Sequence, residues 1–188
     1  WSRYGLVHMP VDPNAIATWA NAITVTRVLA SPFLFAILPS DSRGSWVAFI
    51  VWVLLCMSDL VDGRIARWRG PTRSGAFLDP LADKILVLGA MFTLVSRGIF
   101  WLLPVSIIAA REILISVYRV VVGARGVSVP ASRLAKWKTL FQQLAVGFAI
   151  APMTTTDATW LWLGFLWAAV ALTIVTGSQY AWHAVKGR

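Results

Sequence analysis

The stretch from Asp59 to Asp83, DLVDGRIARWRGPTRSGAFLDPLAD, sets four carboxylates, Asp59, Asp62, Asp79 and Asp83, inside an otherwise strongly apolar chain. Asp59, Asp62, Gly63, Ala66 and Arg67 stand at i, i+3, i+4, i+7 and i+8, so a helix carries them on one face. Gly75, Asp79 and Asp83 recur every four residues and form a second such face. Two helices joined by the short basic turn Trp68 to Ser74 would bring these faces together, with the acids converging on one pocket. Carboxylates that close repel strongly in a low dielectric. A formal charge of about −4 is what two divalent cations neutralise, and oxygen ligands suit magnesium or manganese. The competing reading is an ion-pair network with Arg64, Arg67, Arg69, Arg73 and Lys84. Ionisable groups inside a membrane span are costly and usually mark function, which favours the two-metal carboxylate site.

The spacing D-x2-D-G-x2-A-R-x7-G-x3-D-x3-D resembles the signature of the CDP-alcohol phosphotransferase family, with all eight fixed positions filled by Asp59, Asp62, Gly63, Ala66, Arg67, Gly75, Asp79 and Asp83. The resemblance implies transfer of a phosphatidyl or similar group from a CDP-linked donor to an alcohol, with release of CMP and two divalent metals at the motif. It implies further that Asp59, Asp62 and Asp79 are metal ligands, and that Asp83 both holds metal and takes the acceptor's hydroxyl proton. By the same resemblance Gly63, Ala66 and Gly75 let the nucleotide approach closely, while Arg67, with Arg73 nearby, meets the donor phosphates. Small residues also serve close helix packing in membranes, and both roles are compatible at the glycines.

These side chains must be carried by elements that suit a bilayer. Hydrophobic residues make up 58% of the 188 residues, and the mean hydropathy is +0.70, which excludes an ordinary soluble domain and leaves room for one membrane domain. The expected fold class is all-α, a polytopic protein with six transmembrane helices over residues 19–188 behind an interfacial segment at 1–18. Apolar runs place the spans at about Trp19–Leu38, Ser45–Trp68, Ser74–Val95, Ile99–Val122, Leu134–Ala151 and Ala158–Ala181. Pro10 and Pro13 interrupt the first eighteen residues, and no signal-peptide pattern is present, so Trp1 to Asp12 reads as a boundary or surface segment. Cys56 has no cysteine partner in the chain, which excludes an intrachain disulfide.

The net charge of +9 points to anionic lipid headgroups and phosphorylated substrates instead of nucleic acid, because the basic residues sit at the ends of apolar runs. Arg69, Arg73, Arg125, Arg133, Lys186 and Arg188 fall on one side of the six-span layout, against Arg43 and Arg97 on the other. The positive-inside rule then puts both termini and the carboxylate site at the cytoplasmic face of the inner membrane. Tryptophans such as Trp46, Trp68, Trp101 and Trp160 fall near span ends and read as interfacial anchors.

The acceptor is decided outside the signature. Asn21, Thr24 and Arg27, the run REILISVYR from Arg111 to Arg119, and SRLAKWKTLFQQ from Ser132 to Gln143 resemble the branch of the family that uses CDP-diacylglycerol and glycerol 3-phosphate; Ala135 departs from the glycine of that pattern. This assigns Arg111, Arg119, Lys136 and Lys138 to the acceptor phosphate, with snorkelling or lipid-headgroup contact as the plainer reading for Arg27 and Lys136. A homodimer is expected from the family alone. The alternatives are a cardiolipin synthase using phosphatidylglycerol, a relative using inositol phosphate, and, from a different class, a cation or proton transporter. A transporter lacks support in paired broken helices.

Overall fold

In a computed structural model of the protein, residues 19–41, 43–69, 73–124, 133–154 and 158–186 are described. They form six helices: α1 Trp19–Ile37, α2 Trp46–Arg69, α3 Arg73–Ser96, α4 Leu102–Ala124, α5 Arg133–Ile150 and α6 Thr159–Lys186. The expected spans match these helices closely, because apolar runs broken by Gly, Pro and polar residues are unambiguous punctuation. α6 runs five residues past its expected end, to Lys186, and among the helix starts the largest shift is at α4, which begins at Leu102 and not near Ile99. The reason is the way α3 ends. Gly98 adopts φ +74°, its amide donates to Val95 O, and Ile99 N donates to Leu94 O at 2.9 Å. This glycine-capped helix end satisfies the last carbonyls of α3 and uses up residues that hydropathy alone assigns to the next helix.

The helices pack as a bundle in which α5 lies against α6, α2 and α3, while α1 lies against α2 and α3, and α4 against α3 and α6. Helices α5 and α6 are antiparallel neighbours, pinned by the stacked rings of Phe148 and Phe165, with centroids 5.2 Å apart. The α1–α2 loop is tied to the end of α5 by Ser45 N donating to Ile150 O at 2.9 Å. Arg97 donates from its guanidinium to the carbonyls of Leu38, Phe35 and Ala36. A cation on the unpaired carbonyls at a helix C-terminus is favourable twice over, by hydrogen bonding and by the helix dipole.

Burial divides the bundle along its length. The apolar core comprises Leu34 of α1 and Leu38 just after it, Trp52 of α2, Leu86 to Leu94 of α3, Val105 and Ile108 of α4, Ala145 to Ile150 of α5, and Leu166 to Val170 of α6. All of these lie toward the end where α1 finishes and α2 begins. At the other end the buried side chains are polar: Thr24, Arg27, Ser31, Glu112, Lys138, Gln142, Thr173 and Thr176. Asp59, Asp62, Asp79 and Asp83 sit on the helix segments of α2 and α3 that run through this polar end.

The outer surface of the bundle is apolar. Val25, Leu29 and Phe33 on α1, Val47, Ile50 and Leu54 on α2, Ile113, Leu114 and Val117 on α4, and Ile174 and Val175 on α6 are all exposed. Contiguous apolar surface on this scale marks contact with lipid or protein. Among the described residues one helix, Thr159–Gln179, is both long and apolar enough to cross a membrane by itself, and shorter apolar stretches occupy Thr24–Ile37 and Trp46–Ser58. The interfacial segment expected at 1–18 lies outside the described residues.

Candidate active site at the polar end of the bundle

Helix α2 brings Asp59, Asp62, Gly63, Ala66 and Arg67 to the polar end on consecutive turns, and α3 leaves the same end carrying Arg73, Gly75, Asp79 and Asp83. Both helices pack against α1 and against α5. The side chains of residues 59–69 and 73–80 lie outside those described. Asp83 is the member of the acidic set whose side chain is described, and it is half-buried. Among the described side chains no group of three possible metal ligands occurs. The backbone therefore sets the expected acidic residues on two helices at one end of the molecule, which is the arrangement a carboxylate metal site requires.

Helix α1, whose Asn21, Thr24 and Arg27 are possible site residues, supplies a support. Arg27 is 2% exposed, so its guanidinium is inside the bundle and does not snorkel to a membrane surface. Its Nε donates to Ser58 Oγ at 3.3 Å, and Ser58 Oγ donates to Leu55 O at 2.8 Å. Ser58 precedes Asp59, so a buried cation on α1 fixes the turn of α2 that starts the acidic set. Thr24, one turn before Arg27, is buried as well. The side chain of Asn21 is not among those described.

The basic residues assigned to the acceptor divide into two groups. Lys138 Nζ donates to Glu112 Oε1, and Arg111 Nη1 donates to the same oxygen at 3.1 Å. The three side chains are only 3%, 10% and 11% exposed for Lys138, Glu112 and Arg111. Lys138 is also near enough to Lys84, the neighbour of Asp83, for their charges to interact. Helices α4 and α5 thus gather Arg111 and Lys138 at one locus beside α3. Lys136 is exposed instead, since two residues along a helix turn the side chain by about 200°. The side chain of Arg119 lies outside the described set.

Glu112 is the residue that sequence reading passed over. The signal was present, an acid beside Arg111 in an apolar helix, but its partner Lys138 is 26 positions away, and only the packing of α4 near α5 makes the bridge visible. A carboxylate that accepts from two buried cations spares both the cost of burial without a counter-ion.

Comparison with known proteins agrees with this geometry. A protein of Cereibacter sphaeroides named CDP-diacylglycerol–glycerol-3-phosphate 3-phosphatidyltransferase is 32% identical over 85% of this chain and 92% of its own. A probable phosphatidylglycerophosphate synthase of Mycobacterium tuberculosis is 34% identical over 91% of this chain and 83% of its own. A Rickettsia felis protein with the same name as the first is 33% identical over 92% of this chain and 96% of its own. The sequence profile of the CDP-alcohol phosphatidyltransferases matches residues 17–175, from the first helix into the second half of the last. With the motif complete and the match running through nearly the whole bundle, the chain belongs to the CDP-alcohol phosphatidyltransferase family.

Proposed function

We propose that this chain transfers the phosphatidyl group of CDP-diacylglycerol to sn-glycerol 3-phosphate, giving phosphatidylglycerophosphate and CMP. What supports this reading is that the helix segments bearing the acidic motif and the buried Arg111 and Lys138, which share Glu112, belong to the same end of the bundle. The names of relatives at 32–34% identity support the same donor and acceptor. A phosphate dianion is well held by arginine's paired donors and lysine's point charge. Phosphatidylglycerol, the acceptor of a cardiolipin synthase, offers no such dianion.

Asp59, Asp62, Asp79 and Asp83 are the residues that would hold two magnesium or manganese ions. When bound, such ions neutralise the pyrophosphate and stabilise the leaving CMP. Asp83 accepts the proton of the acceptor hydroxyl as that oxygen attacks the donor phosphorus. Arg67 and Arg73 meet the donor phosphates, Gly63, Ala66 and Gly75 leave room for the nucleotide, and Arg119 joins Arg111 and Lys138 at the acceptor phosphate. Arg27 acts through Ser58 to hold Asp59 in place.

The same reading puts all six helices across the inner membrane with the acidic end at the cytoplasmic face, in a homodimer. Exposed apolar side chains on α1, α2, α4 and α6 support the membrane. Exposed Trp46, Trp101 and Trp160 support it too, since they stand together at the opposite end of the bundle as an interfacial belt would. The deciding experiment offers purified protein CDP-diacylglycerol and magnesium with glycerol 3-phosphate, inositol phosphate and phosphatidylglycerol together, and identifies the lipid by mass spectrometry. Phosphatidylglycerophosphate is expected. Cardiolipin or a phosphoinositide as the main product would refute the acceptor assignment.

A further inference from the structure

Two buried polar atoms beside the basic locus have no hydrogen-bond partner among the described residues: Gln142 Nε2 on α5 and Thr173 Oγ1 on α6. Their residues are 3% and 1% exposed, so bulk water does not reach them. A buried polar group left unsatisfied costs about 1–3 kcal/mol, and an orphan in a native fold calls for an explanation. Both atoms border the same place. Gln142 is one turn beyond Lys138 on the inner face of α5. Phe165 lies against both Phe148 and Phe141, so eight residues farther along the antiparallel α6, about 12 Å, Thr173 is level with residues 133–140 of α5, the stretch that contains Lys138. A third contact agrees, because a Cβ placed on Gly177, one turn from Thr173, would lie 3.5 Å from Arg111 Cγ, and Arg111 shares Glu112 with Lys138.

The locus therefore has cations on one side, and a neutral donor and a hydroxyl on the other. That is the chemistry of a phosphate joined to an alcohol: the cations take the phosphate, and the neutral groups take uncharged hydroxyls. Resting on the acceptor reading above, we propose that Gln142 and Thr173 read the non-reacting hydroxyl of the acceptor and so set specificity for a polyol phosphate over a simple alkyl phosphate alcohol. A site built to hydrogen-bond a substrate hydroxyl rejects an analogue without it, because its own buried groups are then left unpaired.

The probe is 3-hydroxypropyl phosphate, which keeps the phosphate and the terminal alcohol of glycerol 3-phosphate and lacks the middle hydroxyl. CMP release is measured with each acceptor for the full-length membrane protein and for Gln142→Leu and Thr173→Val, both close in volume to the native residues. The ratio of kcat/KM for the two acceptors does not depend on how much enzyme is folded. The unsubstituted protein should prefer glycerol 3-phosphate about tenfold or more, the equivalent of one net hydrogen bond. Either variant should cut that preference at least threefold, with KM for CDP-diacylglycerol unchanged. If both variants keep the full preference, losing rate equally on the two acceptors, the orphans serve packing or a resident water, and the proposal is wrong. If the unsubstituted protein releases no CMP with glycerol 3-phosphate but does so with another acceptor, the functional reading itself fails and takes this proposal with it.

Discussion

Replacing Asp59 or Asp83 by Asn keeps the shape and hydrogen-bonding capacity of the side chain and deletes its charge. If the acids neutralise charge that develops in the transition state, each substitution should lower turnover on the order of a hundredfold or more, and thorough chelation should abolish it. Activity that survives chelation would remove metal from the scheme. Glu112 makes a different prediction, because its carboxylate is shared by Lys138 and Arg111 away from solvent. Glu112→Leu leaves the cations without that counter-ion, and breaking a buried pair in this way costs about 3–5 kcal/mol. Glu112→Gln retains an acceptor oxygen and should cost less. Unfolding in denaturing detergent should rank wild type above Gln and Gln above Leu, while KM for glycerol 3-phosphate rises in the same order. An unchanged unfolding midpoint for Glu112→Leu would show that the bridge carries no weight. At this scale the sequence exposed the acids, whose spacing is local, and hid the bridge, whose two ends come from different helices.

The elements are held in register by a few connections at the apolar end. Gly44 has φ +72°, and a Cβ there would sit 2.8 Å from Ile150 O and 2.9 Å from Pro152 backbone atoms. Neither obstacle is a flexible side-chain tip, so Gly44→Ala meets both backbone strain, costing about 1–3 kcal/mol, and a clash that separates the α1–α2 loop from α5. Its thermal midpoint in detergent should fall clearly, and Ser45 N should lose protection from hydrogen exchange as its bond to Ile150 O opens. Retention of both would mean that the loop rests on α5 without being fixed by it. Helix positions were legible from apolar runs because each run ends in glycine, proline or charge. Their neighbours were not. That α1 packs on α3 as well as α2, or that Arg27 reaches α2 and not a lipid headgroup, depends on which faces meet, and hydrophobic periodicity is weak evidence when most faces of a helix are apolar.

The whole molecule is polarised, with an apolar core at one end and buried polar groups with the acidic motif at the other. In the membrane reading this axis lies along the bilayer normal, and the loop charges say which end faces the cytoplasm. The apolar end is poorer in available positive charge than the sequence suggests, because the Arg97 guanidinium turns back onto the carbonyls closing α1. Arg43 shares its loop with Asp41. The helix ends at the polar end bear Arg69, Arg73, Arg133 and Lys186, and short loops rich in Lys and Arg stay on the cytoplasmic side. Single cysteines replacing Arg73, Arg125 or Asp157 in a Cys56→Ser background test the orientation and the crossing of α5 together. An impermeant thiol reagent applied to intact cells should leave the first two unlabelled until the membrane is opened, and should label the third at once. The reverse pattern would invert the protein and put its acids outside, away from a cytoplasmic phosphorylated acceptor. Labelling of all three from one side would mean that α5 does not complete its crossing, and its exposed apolar surface would then have to be covered by another protein instead of lipid.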